Sequence, residues 1–196
     1  AGNYLAARSA SFASDYSSAA LYYTRLLARA PGDTYLLENL VLAQLALGDV
    51  SKAIAPARVL DAKETSSQIG NLVMIADLVD QSDFSGLIER IKAEKGVGPL
   101  VDGLLLAWSE YGNGQMSNAL EGFDAVAQER GLAGFALYHK ALALAAVGDF
   151  EQAEDIFGGA TASTVQLSRR AVMAHIEILS QLERNEDGLE VMDALF

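Results

Sequence analysis

A short group of turn residues followed by an amphipathic stretch recurs along the chain. Gly148-Asp149-Phe150-Glu151 opens the clearest copy, and Gly48-Asp49-Val50-Ser51 and Ser14-Asp15-Tyr16-Ser17 open two others. Apolar residues at helical spacing precede each turn, and an aspartate suited to capping the next helix lies within it. The pattern predicts helix–turn–helix hairpins repeated in tandem.

The spacing of small residues supports this repeat. One residue near the start of each second helix recurs at steps of 34, 34, 32, 34 and 35, with one large exception at 87: Ala19, Ala53, Leu87, Ala119, Ala153 and Gly188. A second, more apolar series follows four residues later: Tyr23, Ala57, Ile91, Phe123, Phe157 and Met192. A step of four places both series on one helix face. The small residue on that face allows the two helices of a hairpin to approach closely.

A helix–turn–helix repeat of 34 residues resembles the tetratricopeptide repeat (TPR) family. Pro31 and Pro99 stand where that family often ends its second helix. The resemblance implies an all-α fold, a right-handed superhelix of about six hairpins forming a single TPR array over residues 1–196. The repeats are placed at about 1–33, 34–67, 68–99, 100–131, 132–165 and 166–196.

The first four helices are predicted at about 3–13, 16–30, 34–47 and 50–63. Pro56 lies inside the fourth and is expected to kink it or to delay its start. Asp149 and Gln152 have the spacing of a capping box. The Gly158-Gly159 pair is expected to fray the tenth helix at its end.

The third repeat departs from the pattern. Leu87 replaces the small residue, and Glu94 occupies a position where an apolar residue is expected. The shortened step falls at Gly96-Val97-Gly98-Pro99, the least helical junction of the chain. This junction predicts a bend between three front repeats and three back repeats, within one domain.

Composition narrows the possible functions. A net charge of −12 argues against binding to nucleic acid or an anionic membrane surface, although a basic partner remains open. Without cysteine there is no disulfide, thiolate nucleophile or cysteine-based zinc site. No uncharged apolar run approaches the roughly 18–20 residues of a membrane span, so no membrane insertion is expected. Nothing in the chain predicts a cofactor.

The two ends of the chain suggest its context. It begins with Ala1-Gly2 rather than methionine, which suits a chain processed at a signal-peptide site and favours export to the periplasm, as in exported bacterial TPR proteins. A cytoplasmic protein is the alternative. Leu189, Met192, Leu195 and Phe196 have no following repeat to cover them. We therefore expect a longer native chain, or self-association through this end.

The resemblance to TPR proteins implies ligand binding on an inner, concave face built from the first helix of each hairpin. The repeat phase assigns the following residues to that face: Tyr4, Arg8, Tyr35, Glu38, Leu72, Ala76, Leu104, Trp108, Tyr138, Leu142, Met173 and Glu177. The set is apolar and aromatic, which predicts docking of a protein partner's helix or extended peptide, with Trp108 and Tyr138 as the strongest anchors. Alternatively, a register error of one would make any of them inter-repeat core.

A known TPR ligand mode is not supported by the residues. TPR domains that bind chaperone tails clamp a C-terminal carboxylate with lysine, asparagine and arginine from successive repeats. Only Asn39 matches here, and Ile69 and Val73 stand where the third repeat would need polar groups. Arg8 alone is insufficient.

The sequence contains no group of residues with the arrangement typical of a catalytic site. His139 and His175, the only histidines, lie on different repeats without a triad arrangement, and two histidines make a weak metal site. Glu38, Asp80 and Glu110 are inward or near-inward acids, which leaves carbohydrate cleavage as a minor alternative. The main prediction is a non-catalytic protein–protein interaction scaffold. A self-assembling structural scaffold is the second alternative.

Overall fold

The computed structural model describes residues 2–63, 66–159, 161–162, 164–165 and 168–193, and these residues form twelve α-helices and no strand. The helices are α1 (Gly2–Phe12), α2 (Tyr16–Leu27), α3 (Thr34–Ala46), α4 (Val50–Asp61), α5 (Gln68–Asp80), α6 (Phe84–Lys92), α7 (Pro99–Gly112), α8 (Met116–Gln128), α9 (Ala133–Ala146), α10 (Phe150–Gly158), α11 (Arg169–Gln181) and α12 (Asn185–Asp193). Each odd-numbered helix packs against the even-numbered helix that follows it. The predicted all-α fold of tandem hairpins is confirmed.

The turn inside each hairpin has the same backbone geometry. One residue of each turn is left-handed, with φ between 55° and 84°: Ser14, Gly48, Ser82, Gly114, Gly148 and Glu183. The next amide donates to the carbonyl oxygen five residues back, as from Asp15 to Ala10 at 2.9 Å, which is the Schellman closure of a helix C-terminus. These positions repeat the sequence steps of 34, 34, 32, 34 and 35. The period is therefore present in the backbone itself.

An aspartate caps the second helix in four of the six hairpins. The Asp15, Asp49, Asp83 and Asp149 carboxylates each accept a hydrogen bond from the amide three residues later. The predicted capping box at Asp149 forms only in part. The Asp149 carboxylate accepts from the Gln152 backbone amide, but the Gln152 side chain donates to that carboxylate and does not accept from the Asp149 backbone N–H. The Asp149 backbone N–H instead donates to the Leu144 carbonyl oxygen.

The two residue series that define the repeat form much of the core. All six residues of the small series are buried, and Ala19, Ala53, Ala119 and Ala153 are completely inaccessible to solvent. In the second series Tyr23 and Phe123 are among the largest fully buried side chains. Met192 is the exception at 40% exposure, since no described residue covers that face of α12. Leu195 and Phe196, which share the predicted exposure, lie outside the described residues.

Several local expectations are corrected. α2 and α4 end at Leu27 and Asp61, two or three residues early, and α4 begins at Val50, so Pro56 does not delay its start. Glu94 lies beyond the end of α6 in a left-handed conformation (φ 59°) and closes that helix. Such a closing position points away from the core and needs no apolar side chain. α10 includes Gly158 and ends at Gly159, and fraying of its last turn stays a prediction.

The chain divides into two compact units, which we call the N-terminal unit (Ala1–Gly98) and the C-terminal unit (Pro99–Phe196). Each contains three hairpins. The division falls within the Gly96–Pro99 junction that the sequence singles out. A single superhelical array across both units stays a prediction. Among the described residues, no helix combines the length and the hydropathy that crossing a bilayer requires.

Candidate docking surfaces

The residues that the repeat phase assigns to a ligand-binding face are all described, and none of them is buried. Among the large apolar and aromatic members, Met173 is 52% exposed, Tyr35 and Leu72 are 45% exposed and Tyr4 is 37% exposed. Arg8, Ala76 and Glu177 are also exposed, whereas Glu38, Leu104, Trp108, Tyr138 and Leu142 are half-buried. None of the assigned residues therefore belongs to the buried core, although the half-buried members also pack against their neighbours. Their role in ligand binding stays a prediction.

Four of these residues line one pocket in the C-terminal unit. Tyr138 and Leu142 of α9 face Met173 and Glu177 of α11 across a pocket of about 550 Å³. A second pocket of about 300 Å³ shares Leu142, Ala174 and Glu177 with the first, so the two form one continuous groove. We call it the α9–α11 groove.

The packing of α9 and α11 explains why these side chains meet. Small residues of both helices, including Ala141 and Ala171, are buried in one core cluster and allow the hairpins to approach closely. Tyr138 is held by edge contact with Phe157, at 6.4 Å between ring centroids. Residues three and four apart share a helix face, which places Leu142 one turn from Tyr138. The groove is therefore a consequence of the same phase that forms the core.

A smaller pocket of about 250 Å³ lies between α1 and α3 in the N-terminal unit. Arg8, Phe12, Tyr23, Tyr35 and Asn39 are among its lining residues. The Arg8 guanidinium lies 5.6 Å from the Phe12 ring centroid, so this arginine already has a cation–π contact within its own helix. Burial raises the pKa of Tyr35, and the adjacent tyrosines 23 and 4 add to the effect, so its phenol stays neutral at physiological pH.

Phe12 and Ser11 are lining residues that sequence reasoning missed. Phe12 is 82% exposed at the end of α1. Its position is one turn after Arg8, so extending the assigned stripe by a further turn would have found it.

The Glu38 side chain forms a hydrogen bond within the N-terminal unit. Its carboxylate accepts a hydrogen bond of 2.7 Å from the hydroxyl of Ser67, the residue that caps α5. The bond joins α3 to the start of α5. Leu72 lies on α5 and is exposed, and it is not among the residues that line the α1–α3 pocket.

Trp108 packs between helices of the C-terminal unit. Its indole Nε1 donates to Nδ1 of His139 at 3.1 Å, and its ring meets Phe123 and Tyr111 edge-on at 5.5 and 5.4 Å. Leu104 packs against the same cluster. Burial lowers the pKa of His139, which keeps the imidazole neutral and able to accept this bond. Trp108 therefore joins α7 to α9, and its polar atom is not free for a ligand.

His175 belongs to a second cluster that joins α10, α11 and the turn before α12. It stacks on Phe157 with 5.2 Å between ring centroids, and its Nε2 lies 3.8 Å from the Glu154 carboxylate. Arg184 pairs with Glu154 at 3.2 Å. Burial lowers the pKa of His175, and Glu154 opposes the shift only in part. Among the described residues no hydrogen bond joins a serine to either histidine, the chain has no cysteine, and no cluster of three metal-binding side chains is found.

Together these features define an all-α protein of tandem helical hairpins with an apolar groove between two successive first helices. Neither a protein-family model nor a curated protein matches the sequence. Among solved structures the chain is similar to one in the complex described as "Structure of Naa15/Naa10 bound to HypK-THB", with a TM-score of 0.40 and 15% identity. The match covers 99% of this chain and 36% of that chain. A likeness of this degree indicates neither family nor function.

Proposed function

We propose that the protein is a non-catalytic docking module of the TPR type that binds a segment of a partner protein in the α9–α11 groove. The observation that carries this proposal is the groove itself, where Tyr138, Leu142 and Met173 present apolar surface around about 550 Å³ of open space. The TPR assignment rests on the common turn geometry and its near-34-residue period.

The chemistry of the groove suits a helix or an extended peptide with apolar anchors. Met173 is half-exposed, and covering it together with Tyr138 and Leu142 removes apolar surface from water. Burying a fully exposed side chain of this kind contributes roughly 1.5–3 kcal/mol, so each of these partly exposed anchors contributes about half as much. Because association itself costs several kcal/mol, three anchors support a reversible interaction of modest affinity.

Self-association through α12 is the second candidate. Leu189 and Met192 are 58% and 40% exposed, and both line a pocket of about 260 Å³ with Ile176 and Gly188. Light scattering tests it, since a strictly monomeric protein at working concentration would contradict it. The carbohydrate-cleaving alternative has no comparable support, because the Glu38 carboxylate is already bonded to Ser67.

The docking proposal is tested by blocking the groove. We expect a Leu142→Glu, Met173→Glu double variant to lose partners that the wild-type protein captures from an extract of its source cells, because two carboxylates would be desolvated on binding. Leu21→Glu, Val59→Glu is the matched control, since these side chains are 50% and 42% exposed and lie on second helices of the N-terminal unit, outside the assigned face. Circular dichroism checks that all variants remain helical.

If the wild-type and groove-blocked proteins captured the same partners equally, the groove would not be the binding site. Trp108→Ala is unsuitable for this test. It would remove the hydrogen bond to His139 and open the packing around Phe123, so any loss of binding would be confounded by loss of structure.

A further inference from the structure

Two arginines give one end of the α9–α11 groove a positive charge. Arg169 and Arg170, the first two residues of α11, line the larger pocket, and both are exposed. No ion pair among the described residues joins either of them to a carboxylate. Other exposed arginines, such as Arg29 and Arg130, also lie outside every described ion pair, but Arg169 and Arg170 are adjacent and both line the same pocket. These two arginines do not stabilise α11, because the first turn of a helix favours negative side chains.

Glu177 gives the same pocket a negative charge further along α11. It is exposed, and no ion pair in the described part of the chain involves it. Arg170 and Glu177 are seven residues apart, which is about 10 Å along a helix axis. Leu142, Met173 and Ala174 line the pocket as well. The groove thus combines positive, apolar and negative surface in that order along α11.

We propose that this groove binds a helical segment of a partner protein with the complementary order: a carboxylate, apolar side chains, and a basic side chain about seven residues after or before the carboxylate. The inference rests on the proposed docking function and specifies the chemistry of the ligand. Residues at i, i+3 or i+4, and i+7 share one face of a helix, so a partner helix lying along α11 matches the separation of Arg170 and Glu177. The apolar side chains provide affinity, and the two charge pairs select the direction and register of binding.

The probe is a library of random 14-residue peptides displayed on phage, selected against the full chain. Three proteins are compared: the wild type, the groove-blocked Leu142→Glu, Met173→Glu variant, and a charge-swapped Arg169→Glu, Arg170→Glu, Glu177→Lys variant. Peptides enriched by the wild type are then synthesised, and their affinities for all three proteins are measured by fluorescence anisotropy. Circular dichroism again establishes that each protein is folded.

We expect wild-type selection to enrich peptides with a carboxylate and a basic residue about seven positions apart around apolar residues. The charge-swapped variant should bind these peptides roughly 5- to 30-fold more weakly, because two exposed charge pairs change from attractive to repulsive. The loss should shrink in 0.5 M salt, where such charges are screened. The groove-blocked variant should not bind them.

The possible outcomes separate the two proposals. If the wild-type and charge-swapped proteins bind the same peptides equally while the blocked variant does not, the charge order is wrong and apolar docking in the groove stands. If the blocked variant binds as the wild type does, or if the wild type enriches no peptide, both the charge order and the docking function are wrong.

Discussion

The same hairpin backbone is held together by different chemistry in the two units. In the N-terminal unit the last two hairpins meet through a polar cluster, in which Arg90, with an 8% exposed side chain, donates to Asp61 and to Asn71 at 2.9 Å each. In the C-terminal unit the corresponding role falls to aromatic rings, with the Trp108–His139 hydrogen bond as a polar link between α7 and α9. The repeat therefore determines where the helices meet, whereas the side chains that make the contact differ from one pair of repeats to the next.

The polar cluster also holds the irregular segment before Pro99. Asn71 donates to the Gly96 carbonyl at 2.8 Å and Gln68 to the Val97 carbonyl at 2.6 Å. Both side chains belong to α5, so the non-helical junction is held from within the N-terminal unit. Burial opposes ionisation of Asp61, but hydrogen bonds and charge from Arg90 and Lys95 outweigh it and lower the pKa of this carboxyl.

The largest effect is expected from Arg90→Ala. Removing the buried cation leaves Asp61 and Asn71 with fewer partners, and breaking a buried pair on one side costs about 3–5 kcal/mol. Lys95, at 3.3 Å from Asp61, places the expected loss at the lower end of that range. Urea unfolding followed by circular dichroism measures it. Arg58→Ala is the control, since Arg58 is 64% exposed and its pair with Asp77 should contribute less than about 1 kcal/mol.

A smaller effect is expected in the aromatic region from Trp108→Phe. The ring is largely kept, but Nδ1 of His139 loses its donor, which should destabilise the protein by about 1–2 kcal/mol in urea unfolding. Adding His139→Phe should recover part of the loss, because replacing both partners by apolar groups leaves nothing unsatisfied. If the two single losses simply add, the hydrogen bond does not couple these residues.

Acid sensitivity should depend on the C-terminal unit, which contains both histidines. Burial lowers the pKa of His139 and of His175 in the folded protein, while in the unfolded chain each titrates near 6.5. Below about pH 6.5 the unfolded chain therefore binds more protons, and stability falls as pH falls. The slope is at most about 1.4 kcal/mol per pH unit for each histidine. Urea unfolding at pH 7.5 and 5.5 measures it, and His175→Gln should flatten the dependence.

The smallest effects are expected at the turns, where the units also differ. The N-terminal unit has Ser82 at a left-handed position, whereas the C-terminal unit has Gly148 at an equivalent one. Ser82→Gly should stabilise by about 0.5–1 kcal/mol, since glycine adopts positive φ without steric cost. Gly148→Ala should destabilise the protein by about 1 kcal/mol, the cost of placing a Cβ on a left-handed residue. No steric clash adds to this cost, because an added Cβ meets no atom within 4 Å. Thermal unfolding of both variants compares them, and shifts of the same sign would contradict the assignment.

The sequence by itself determined the repeat, its period and the helix faces. These depend on local chemistry: a turn that needs a left-handed residue, an aspartate that caps the next helix, and a small residue where two helices touch. Because the helical period extends these constraints along each helix, Tyr138, Leu142, Met173 and Glu177 were assigned to one face and do line one groove.

Only the tertiary structure determined which residues of the neighbouring hairpin these faces contact. The bonds from Trp108 to His139, from Ser67 to Glu38 and from Arg90 to Asp61 join residues 31, 29 and 29 positions apart. Each therefore joins one helical hairpin to the next, since Ser67 caps α5, the first helix of the third hairpin. Periodicity shows that a side chain faces the neighbouring repeat, but its partner there depends on how closely and at what angle the two hairpins pack. For that reason Trp108 was predicted as a docking anchor, and the structure shows it bonded between α7 and α9.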